Sequence, residues 1–491
     1  MGATSSVGAG GDAYTGLDQF GRIASQQWAN SAGTVLDGYT YTYDQNNNVT
    51  SKTNVLDSAY SETYTNDNLN RLTAVTRGGA AYQSWNLDSQ GNWSSSTTSG
   101  TTQTRTTNSQ NQITSITGTT GSPVYDSNGN MTTDQNGNTL KYDAWNRLIS
   151  VTNSSGQLIA EYSYDARGYR ISEAYPQGGS GVPAGTTNYI YYDSNWQAIE
   201  VRTNGTAASD VTSQTVWSAA YVNSPVLQDS FSGGVIQPNS RIYFLHDANW
   251  NTTAIVGYNA TTQTWGVTQR YIYSPYGSLI VLNADFSTPP AGTQAVSDYL
   301  YQGMTLDAVT GLYYARNRNY SPSLGVWISQ DPLQYVNGAN TYQMEMSGPV
   351  GAVDFSGTDV TIRGNADGGT INIAYGFSLE LWRINFGGVS LTGNGSYSVE
   401  CVKNLEKNAP WSFPPGIHPS LPEFSLHPLG VEESVVLDYG PLTVNYTYGI
   451  EFPSWDAIEV SVSASDNLKY YFMKGAVKDK LTLSASSMIP K

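Results

Sequence analysis

Short runs in which aromatic and small polar residues alternate recur through the first 300 residues of the chain. Two tyrosines flank one polar residue in Tyr41–Tyr43 and again in Tyr162–Tyr164. Because strand side chains alternate between two faces, each pair marks one face of a β-strand. An aspartate follows directly, at Asp44 and Asp165. Aspartate bonds the backbone two residues on, and the Asn or Gly after it accepts a positive φ, so a turn and a returning strand are predicted.

This hairpin unit repeats along the chain, and Asp143 and Asp165 of two successive copies are 22 positions apart. Copies begin at Leu17, Tyr41, Tyr64, Trp85, Val124, Lys141, Tyr162, Tyr189, Tyr243 and Tyr271. A lone hairpin cannot bury its aromatic face, so successive hairpins are expected to join into one sheet that curls or spirals to cover itself. The predicted fold class is therefore all-β, with a β-hairpin array over residues 1–298.

The tail, residues 359–491, lacks the repeat. Apolar and polar residues alternate there more regularly than in the hairpin array. Strands are predicted in Thr370–Tyr375, Val435–Leu437, Leu442–Tyr448 and Ile458–Val462. A turn is predicted at Thr392–Ser396, and the prolines of Ala409–Gly416 predict an ordered loop, since proline cannot donate to a strand ladder. The tail is predicted to form a smaller all-β domain.

The amino-acid composition argues against some classes of binding partner. Charged residues make up 13% of the chain and the formal net charge is −16, spread along the sequence. Nucleic acid and anionic membrane surfaces need basic patches, so neither is expected as a partner, and no apolar run approaches the ~20 residues of a membrane span. The polar, tyrosine-rich composition favours an extracellular or cell-surface location.

Few residues offer cofactor or metal chemistry. Cys401 is the only cysteine, which excludes an internal disulfide. His418 and His427 stand in a proline-rich stretch without Cys or carboxylate neighbours at metal-ligand spacing. No cofactor and no metal are expected.

The most specific motifs lie in residues 299–358. They are Thr310–Arg316, Arg318–Pro322, Gly325–Trp327, Ser329–Pro332, Asn337–Tyr342, Gly348–Val350 and Val353–Gly357. With the hairpin copies, their order resembles the Rhs/YD-repeat family of bacterial toxins, toxin-complex components and teneurins. The resemblance implies a hollow shell of spiralling hairpins around a cargo polypeptide, an Rhs-associated core at residues 299–358, and a variable C-terminal domain at residues 359–491.

The resemblance also implies an intramolecular aspartic protease in the core, which in several members releases the C-terminal segment. That chemistry needs two carboxylates that share a proton. Asp331 and Arg318 match family positions and are the candidate site residues, with a cut near Gly357. Related cores often carry aspartate directly after the arginine, whereas this chain has Asn319, so the second carboxylate is expected to be missing.

Other arrangements of the core remain open. Asp307 or Asp354 could pair with Asp331, or Asp331 could simply cap the turn before Pro332. The segment Asp354–Thr358 also departs from the usual Asp-Pro-x-Gly-Leu at the cut. A vestigial site is therefore predicted, and the purified chain is expected to stay intact.

Two functions follow from these patterns. The first is a secreted or cell-surface structural protein, not an enzyme, whose C-terminal domain mediates adhesion or assembly through protein or carbohydrate surfaces or through self-assembly. The alternative is an Rhs-type toxin polypeptide whose C-terminal cargo domain is enclosed by the shell.

Overall fold

The computed structural model describes residues 16–358, except for the side chains of residues 336 and 337, together with the backbone of short β-segments at 2–3 and between 360 and 485. The chain divides into two compact units, Met1–Ala374 and Tyr375–Lys491. The described residues contain β-strands and short 3-10 turns but no α-helix, so the all-β prediction is confirmed. None of these described elements is a helix long and apolar enough to cross a bilayer. The 3-10 turns are Ser58–Tyr60, Ala208–Asp210, Tyr301–Gly303, Gln334–Asn337 and Glu345–Ser347.

The first sheet has ten strands, each paired antiparallel with the next in sequence. They are β1 (Gly2–Ala3), β2 (Ser25–Ala29), β3 (Val35–Tyr43), β4 (Val49–Asn54), β5 (Glu62–Asn66), β6 (Leu72–Arg77), β7 (Ala80–Leu87), β8 (Trp93–Thr98), β9 (Thr101–Thr107) and β10 (Ile113–Ile116).

The second sheet has fifteen strands in chain order, except that β21 pairs only with β20 and lies off the path. They are β11 (Val124–Tyr125), β12 (Met131–Thr133), β13 (Thr139–Tyr142), β14 (Leu148–Thr152), β15 (Leu158–Tyr164), β16 (Arg170–Tyr175), β17 (Thr186–Tyr192), β18 (Ala198–Thr203), β19 (Val211–Trp217), β20 (Pro225–Ser232), β21 (Val235–Ile236), β22 (Ile242–His246), β23 (Thr252–Asn259), β24 (Thr264–Tyr273) and β25 (Leu279–Asn283).

The predicted turns form as the sequence indicates. The Oδ1 atom of Asp143 accepts from the backbone N–H of Trp145 at 2.9 Å and of Arg147 at 3.0 Å. The Nε of Arg147 donates back to Asp143 Oδ2 at 2.7 Å. One of its terminal nitrogens donates to the backbone carbonyl of Asp165 in the next turn, at 3.2 Å. Neighbouring turns are thereby linked along the edge of the sheet.

Residues 299–358 pack against both sheets. They contain the four-stranded sheet β26 (Thr305–Asp307), β27 (Leu312–Ala315), β28 (Arg318–Ser321) and β29 (Val326–Trp327), and then β30 (Ala352–Val353). β30 pairs with β31 (Val360–Ile362), and β31 pairs with β32 (Ile371–Ile373). Tyr301, Tyr313, Tyr320 and Trp327 share one apolar cluster with residues of the first and second sheets. The central stretch is therefore a buried core and not a surface linker.

The second unit is described as backbone strands only. They are β33 (Ile384–Phe386), β34 (Val389–Leu391), β35 (Ser396–Glu400), β36 (His418–Pro419), β37 (Glu423–His427), β38 (Gly430–Tyr439), β39 (Leu442–Glu451), β40 (Ser454–Ala464), β41 (Tyr470–Lys474) and β42 (Lys480–Ala485). Strands β35 to β42 form an eight-stranded antiparallel sheet. The predicted strands Val435–Leu437, Leu442–Tyr448 and Ile458–Val462 lie in β38, β39 and β40 of this sheet, whereas Thr370–Tyr375 overlaps β32 of the three-stranded sheet. The predicted loop at Ala409–Gly416 and the turn residues 392–395 lie outside the described residues.

Candidate active site in the core

Arg318 is the centre of the candidate site. It is the first residue of β28 and directly follows a tight turn in which Arg316 adopts a φ of 57°. The side chain is buried, and its guanidinium carbon lies 4.3 Å from the centre of the Trp327 ring. A buried cation needs paired anions and satisfied N–H groups, so its partners define the site.

Two carboxylates meet at this guanidinium. One terminal nitrogen of Arg318 lies 3.0 Å from Asp331 Oδ2 and 3.4 Å from Asp354 Oδ2. Asp331 and Asp354 are only 3% and 1% exposed. The other terminal nitrogen donates to the backbone carbonyl of Thr341 at 3.1 Å. The cation holds both buried carboxyl groups at one point.

The same arginine reaches the chain just beyond Asp354. Its Nε donates to the carbonyl oxygen of Gly357. The N–H of Thr358 donates to Asp354 Oδ1 at 3.1 Å. The peptide bond between Gly357 and Thr358 therefore has its oxygen on a cation and its nitrogen on a carboxylate.

Gly357 is required by this close approach. Its φ is 70°, in the left-handed region that side chains other than glycine rarely adopt. An added Cβ would lie 2.8 Å from the carbonyl oxygen of Ala315. The backbone and side-chain amides of Asn317 both donate to the carbonyl of Ser356, at 3.1 and 3.0 Å. The segment is thus held tightly against the turn that precedes Arg318.

Chemically, this arrangement contains the parts of an aspartic hydrolytic site. One carboxylate of such a site takes a proton from water and the other gives a proton to the leaving nitrogen. The cation on the carbonyl oxygen stabilises the oxyanion that develops during attack. Arg318 and Asp354 contact the bond after Gly357, and Asp331 contacts Arg318.

Asn319, where related cores carry the second carboxylate, does not face Arg318 in this structure. Asn319 follows Arg318 in β28, so the two side chains lie on opposite sides of the strand. Its Oδ1 accepts from a terminal nitrogen of Arg170 at 2.8 Å. A carboxylate at this position would face Arg170 and not Arg318, and the second carboxylate at Arg318 is instead Asp354.

The other aspartate weighed as a partner is used elsewhere. Asp307 Oδ1 accepts from the backbone N–H groups of Val309 and Thr310 at 2.9 and 3.0 Å, and its Oδ2 accepts from the hydroxyl of Tyr162. Asp331 does cap a turn, since its Oδ1 accepts from the N–H of Leu333 at 2.8 Å. Its two oxygens thus serve the turn and Arg318 together.

A second buried arginine site lies on the far side of β28. Arg170 is 1% exposed, and its guanidinium carbon lies 4.1 Å from the ring centre of Tyr162 and 3.7 Å from that of Tyr314. Besides Asn319, it contacts Glu173 at 3.3 Å. Burial raises the pKa of Glu173.

Glu173 also lines a cavity of about 70 Å³ that Asp298 and Arg316 share. Desolvation in this cavity, and then the charge of Glu173, raises the pKa of Asp298 to about 6. No cluster of three or more His, Cys, Asp or Glu side chains suited to a metal ion occurs in the part of the chain that the structure describes.

Comparison with known proteins identifies the family of this chain. The sequence model of the family described as Teneurin YD-shell matches residues 14–350. The chain belongs to the YD-shell family. This agrees with the family resemblance of its motifs and with the hairpin array.

Relatives of this YD-shell chain include named toxins. It is 29% identical over 250 residues to the tRNA nuclease WapA of Bacillus subtilis strain 168, covering 49% of this chain and 9% of the relative. It is 26% identical over 246 residues to the double-stranded DNA deaminase toxin A of Burkholderia cenocepacia strain H111, covering 47% of this chain and 16% of the relative. The chain therefore spans a small part of these relatives' lengths.

Among solved structures, the crystal structure of TcdB2-TccC3 resembles this YD-shell with a TM-score of 0.55 at 20% identity. The match covers 68% of this chain and 18% of that chain. At this identity it supports the fold alone. The expectation that nucleic acid is excluded as a partner gains no support, since WapA is named for activity on tRNA.

Proposed function

We propose that this chain is part of a toxin polypeptide of the YD-repeat type, in which residues 359–491 are the C-terminal cargo. The observation that carries the proposal is the pair of side-chain hydrogen bonds to the peptide bond at the end of the core. Arg318 and Asp354 hold the two sides of the bond after Gly357, at the point where the tail begins.

The comparisons support this function over adhesion or assembly. WapA and deaminase toxin A are named as toxins or nucleases, and their similarity to this chain covers about half of it. Because the chain spans at most 16% of these relatives, the target of the cargo is left to experiment. Export from the cell and protein partners that complete the assembly belong to the same proposal.

Expression in a bacterial host tests the cargo proposal. Induced residues 359–491 are expected to arrest growth, whereas the full chain is expected to be tolerated because its cargo is held by the shell. The matched control is the tail fused to an unrelated soluble protein at its N terminus. Normal growth with the free tail, together with filaments of the full chain in electron micrographs, would favour adhesion or assembly instead.

A second candidate function is hydrolysis of the chain's own backbone beside Gly357. In this step Asp331 takes a proton from water, and the water oxygen attacks the carbonyl carbon of Gly357. Arg318 stabilises the oxyanion, and Asp354, in its protonated form, gives a proton to the nitrogen of Thr358 as the peptide bond breaks. One water is consumed, and a carboxylic acid and an amine are formed.

Asp354 at Arg318 supports this step, whereas the sequence predicts an uncut chain. Intact-mass measurement of the purified protein tests it directly. The expected result is two fragments separated beside Gly357, and the Asp331→Asn variant should give one intact mass. A wild-type chain that stays intact for days at several pH values would leave the ion cluster with a structural role only.

A further inference from the structure

Two β-hairpins extend beyond their neighbouring strands in the second sheet. In the first, residues 231–236 of β20 and β21 pair only with one another. In the second, residues 257–266 of β23 and β24 do the same, because β22 pairs with β23 no further than Val256 and β25 pairs with β24 only from Gln269. We define these two segments as the projecting hairpins.

Both projecting hairpins lie at the same end of the sheet. β20 and β22 are antiparallel neighbours, paired at Leu227 with Tyr243 and at Gln228 with Ile242. β20 and β23 therefore run toward the end at which β22 begins. Only β22 separates β20 from β23, so the hairpins are about 10 Å apart.

The projecting hairpins expose apolar side chains at their tips. Val235 is 64% exposed, and Ile236 and Trp265 are each 47% exposed. Ile236 pairs with Phe231, and Trp265 pairs with Tyr258. Strand alternation places these two pairs on the face that carries Tyr243, whose ring centre lies 5.8 Å from that of Trp265. An aromatic and aliphatic surface therefore spans both hairpins.

Charge is absent from this surface. Residues 230–240 and 255–269 contain no Asp, Glu, Lys or Arg, in a chain whose formal net charge is −16. At the base, Asp229 and Arg241 form two hydrogen bonds of 2.7 Å and neutralise each other. The net negative charge of the chain therefore lies elsewhere.

The turns that carry the tips are well defined. Asn259 Oδ1 accepts from the backbone N–H groups of Thr261 and Thr262 at 2.9 and 3.1 Å. Gly233 and Gly234 have φ values of 59° and 76°, which suit the two-residue turn of the first hairpin. The apolar side chains are thus presented on ordered supports.

These features identify the chemistry of a partner. Exposed aliphatic side chains add nothing to stacking on a sugar ring, and a surface without Lys or Arg offers no ion pairs to an anionic lipid. Trp and Tyr beside aliphatic residues are typical of the interface between water and lipid. We propose that the projecting hairpins form a docking site for a zwitterionic lipid surface, into which only their tips insert.

Vesicle flotation of the full chain tests this proposal. The chain is expected to float with phosphatidylcholine vesicles and to float less when phosphatidylserine is added, because the negative chain is repelled. The double variant Ile236→Ser/Trp265→Ser is expected to lower binding at least about tenfold. Val216→Ser is the matched control, since Val216 is 53% exposed on the same sheet outside the hairpins.

A second measurement separates lipid contact from a folding defect. Trp265→Phe should keep flotation but lose the part of the tryptophan fluorescence that brominated phosphatidylcholine quenches. The proposal is overturned if the wild-type chain does not float, if the double variant floats normally, or if Val216→Ser lowers flotation equally. Retention on a carbohydrate resin that Trp265→Ser abolishes, without flotation, would assign the surface to sugars instead.

Discussion

Two buried arginines lie on opposite sides of β28, and only one of them meets the chain's own backbone at a carboxylate pair. Arg318 contacts Asp331, Asp354 and the carbonyl of Gly357. Arg170 contacts Glu173 and the amide of Asn319, within a cage of tyrosine rings. Both sites are similarly buried, so burial alone does not separate chemistry from structure.

The difference lies in what each arginine holds. At Arg170 one carboxylate and one neutral amide balance the cation, and the rings add cation–π stabilisation. At Arg318 two buried carboxyl groups share one cation. If both are ionised, one negative charge is left without a cation, which lowers the stability of the folded state. In the proposed self-cleavage, both carboxyl groups would act on the peptide bond that Arg318 contacts.

The largest expected effect is on cleavage. Asp354→Asn keeps the shape of the side chain but cannot donate a proton to the leaving nitrogen, so cleavage should fall at least about a thousandfold. Intact mass over time checks this, with Glu173→Gln as the matched control at the Arg170 site. Equal rates in Asp354→Asn and the wild-type chain would remove Asp354 from the reaction.

Substituting each arginine in turn shows how much its site contributes to the free energy of unfolding. Arg318→Met leaves two buried carboxylates without their cation and should lower the free energy of unfolding by about 4 kcal/mol. Arg170→Met leaves only Glu173, which still accepts from the hydroxyl of Tyr175 at 3.1 Å, so about 2 kcal/mol is expected.

Urea denaturation followed by tryptophan fluorescence measures both variants against the wild-type chain. A larger loss in Arg170→Met than in Arg318→Met would reverse the proposed ranking of the two sites. Equal losses would mean that the second carboxylate at Arg318 adds no cost.

A smaller effect concerns pH and the cavity near Arg170. Because the pKa of Asp298 is raised from 3.8 to about 6, the folded state keeps a proton that the unfolded chain releases between these values. Stability should therefore fall as the pH rises from about 4 to 6 and then level off. Asp298→Asn should remove this contribution and be more stable than the wild-type chain at pH 7.5.

Asp298 lines the cavity but is exposed as a whole residue, so solvent screening lowers the expected gain for Asp298→Asn to about 1 kcal/mol. Melting temperatures at pH 4.5 and 7.5 measure it. A wild-type chain that is equally stable at both pH values would contradict the raised pKa.

Much of the fold could be predicted from local sequence, because each turn is specified by residues within five positions. Asp143 and Arg147 are an example, since both partners belong to one repeat. The candidate site could be predicted only in part. Arg318 and Asp331 come from family motifs, but Asp354 lies 36 positions beyond Arg318 and meets it only through the fold of the intervening chain.

The smallest expected effect is that of a carboxylate at position 319. This position is adjacent to Arg318 in sequence but contacts Arg170 in space, so the variant tests whether β28 keeps the two arginine sites apart. Asn319→Asp should place its carboxylate against Arg170, where the nearby Glu173 offsets part of the gain, so stability should change by less than about 1 kcal/mol. The double variant Asn319→Asp/Asp354→Asn should stay uncut in intact-mass measurements, since the new carboxylate lies on the wrong side of β28. Restored cleavage would mean that position 319 reaches Arg318 after all, and that strand alternation does not divide the two sites.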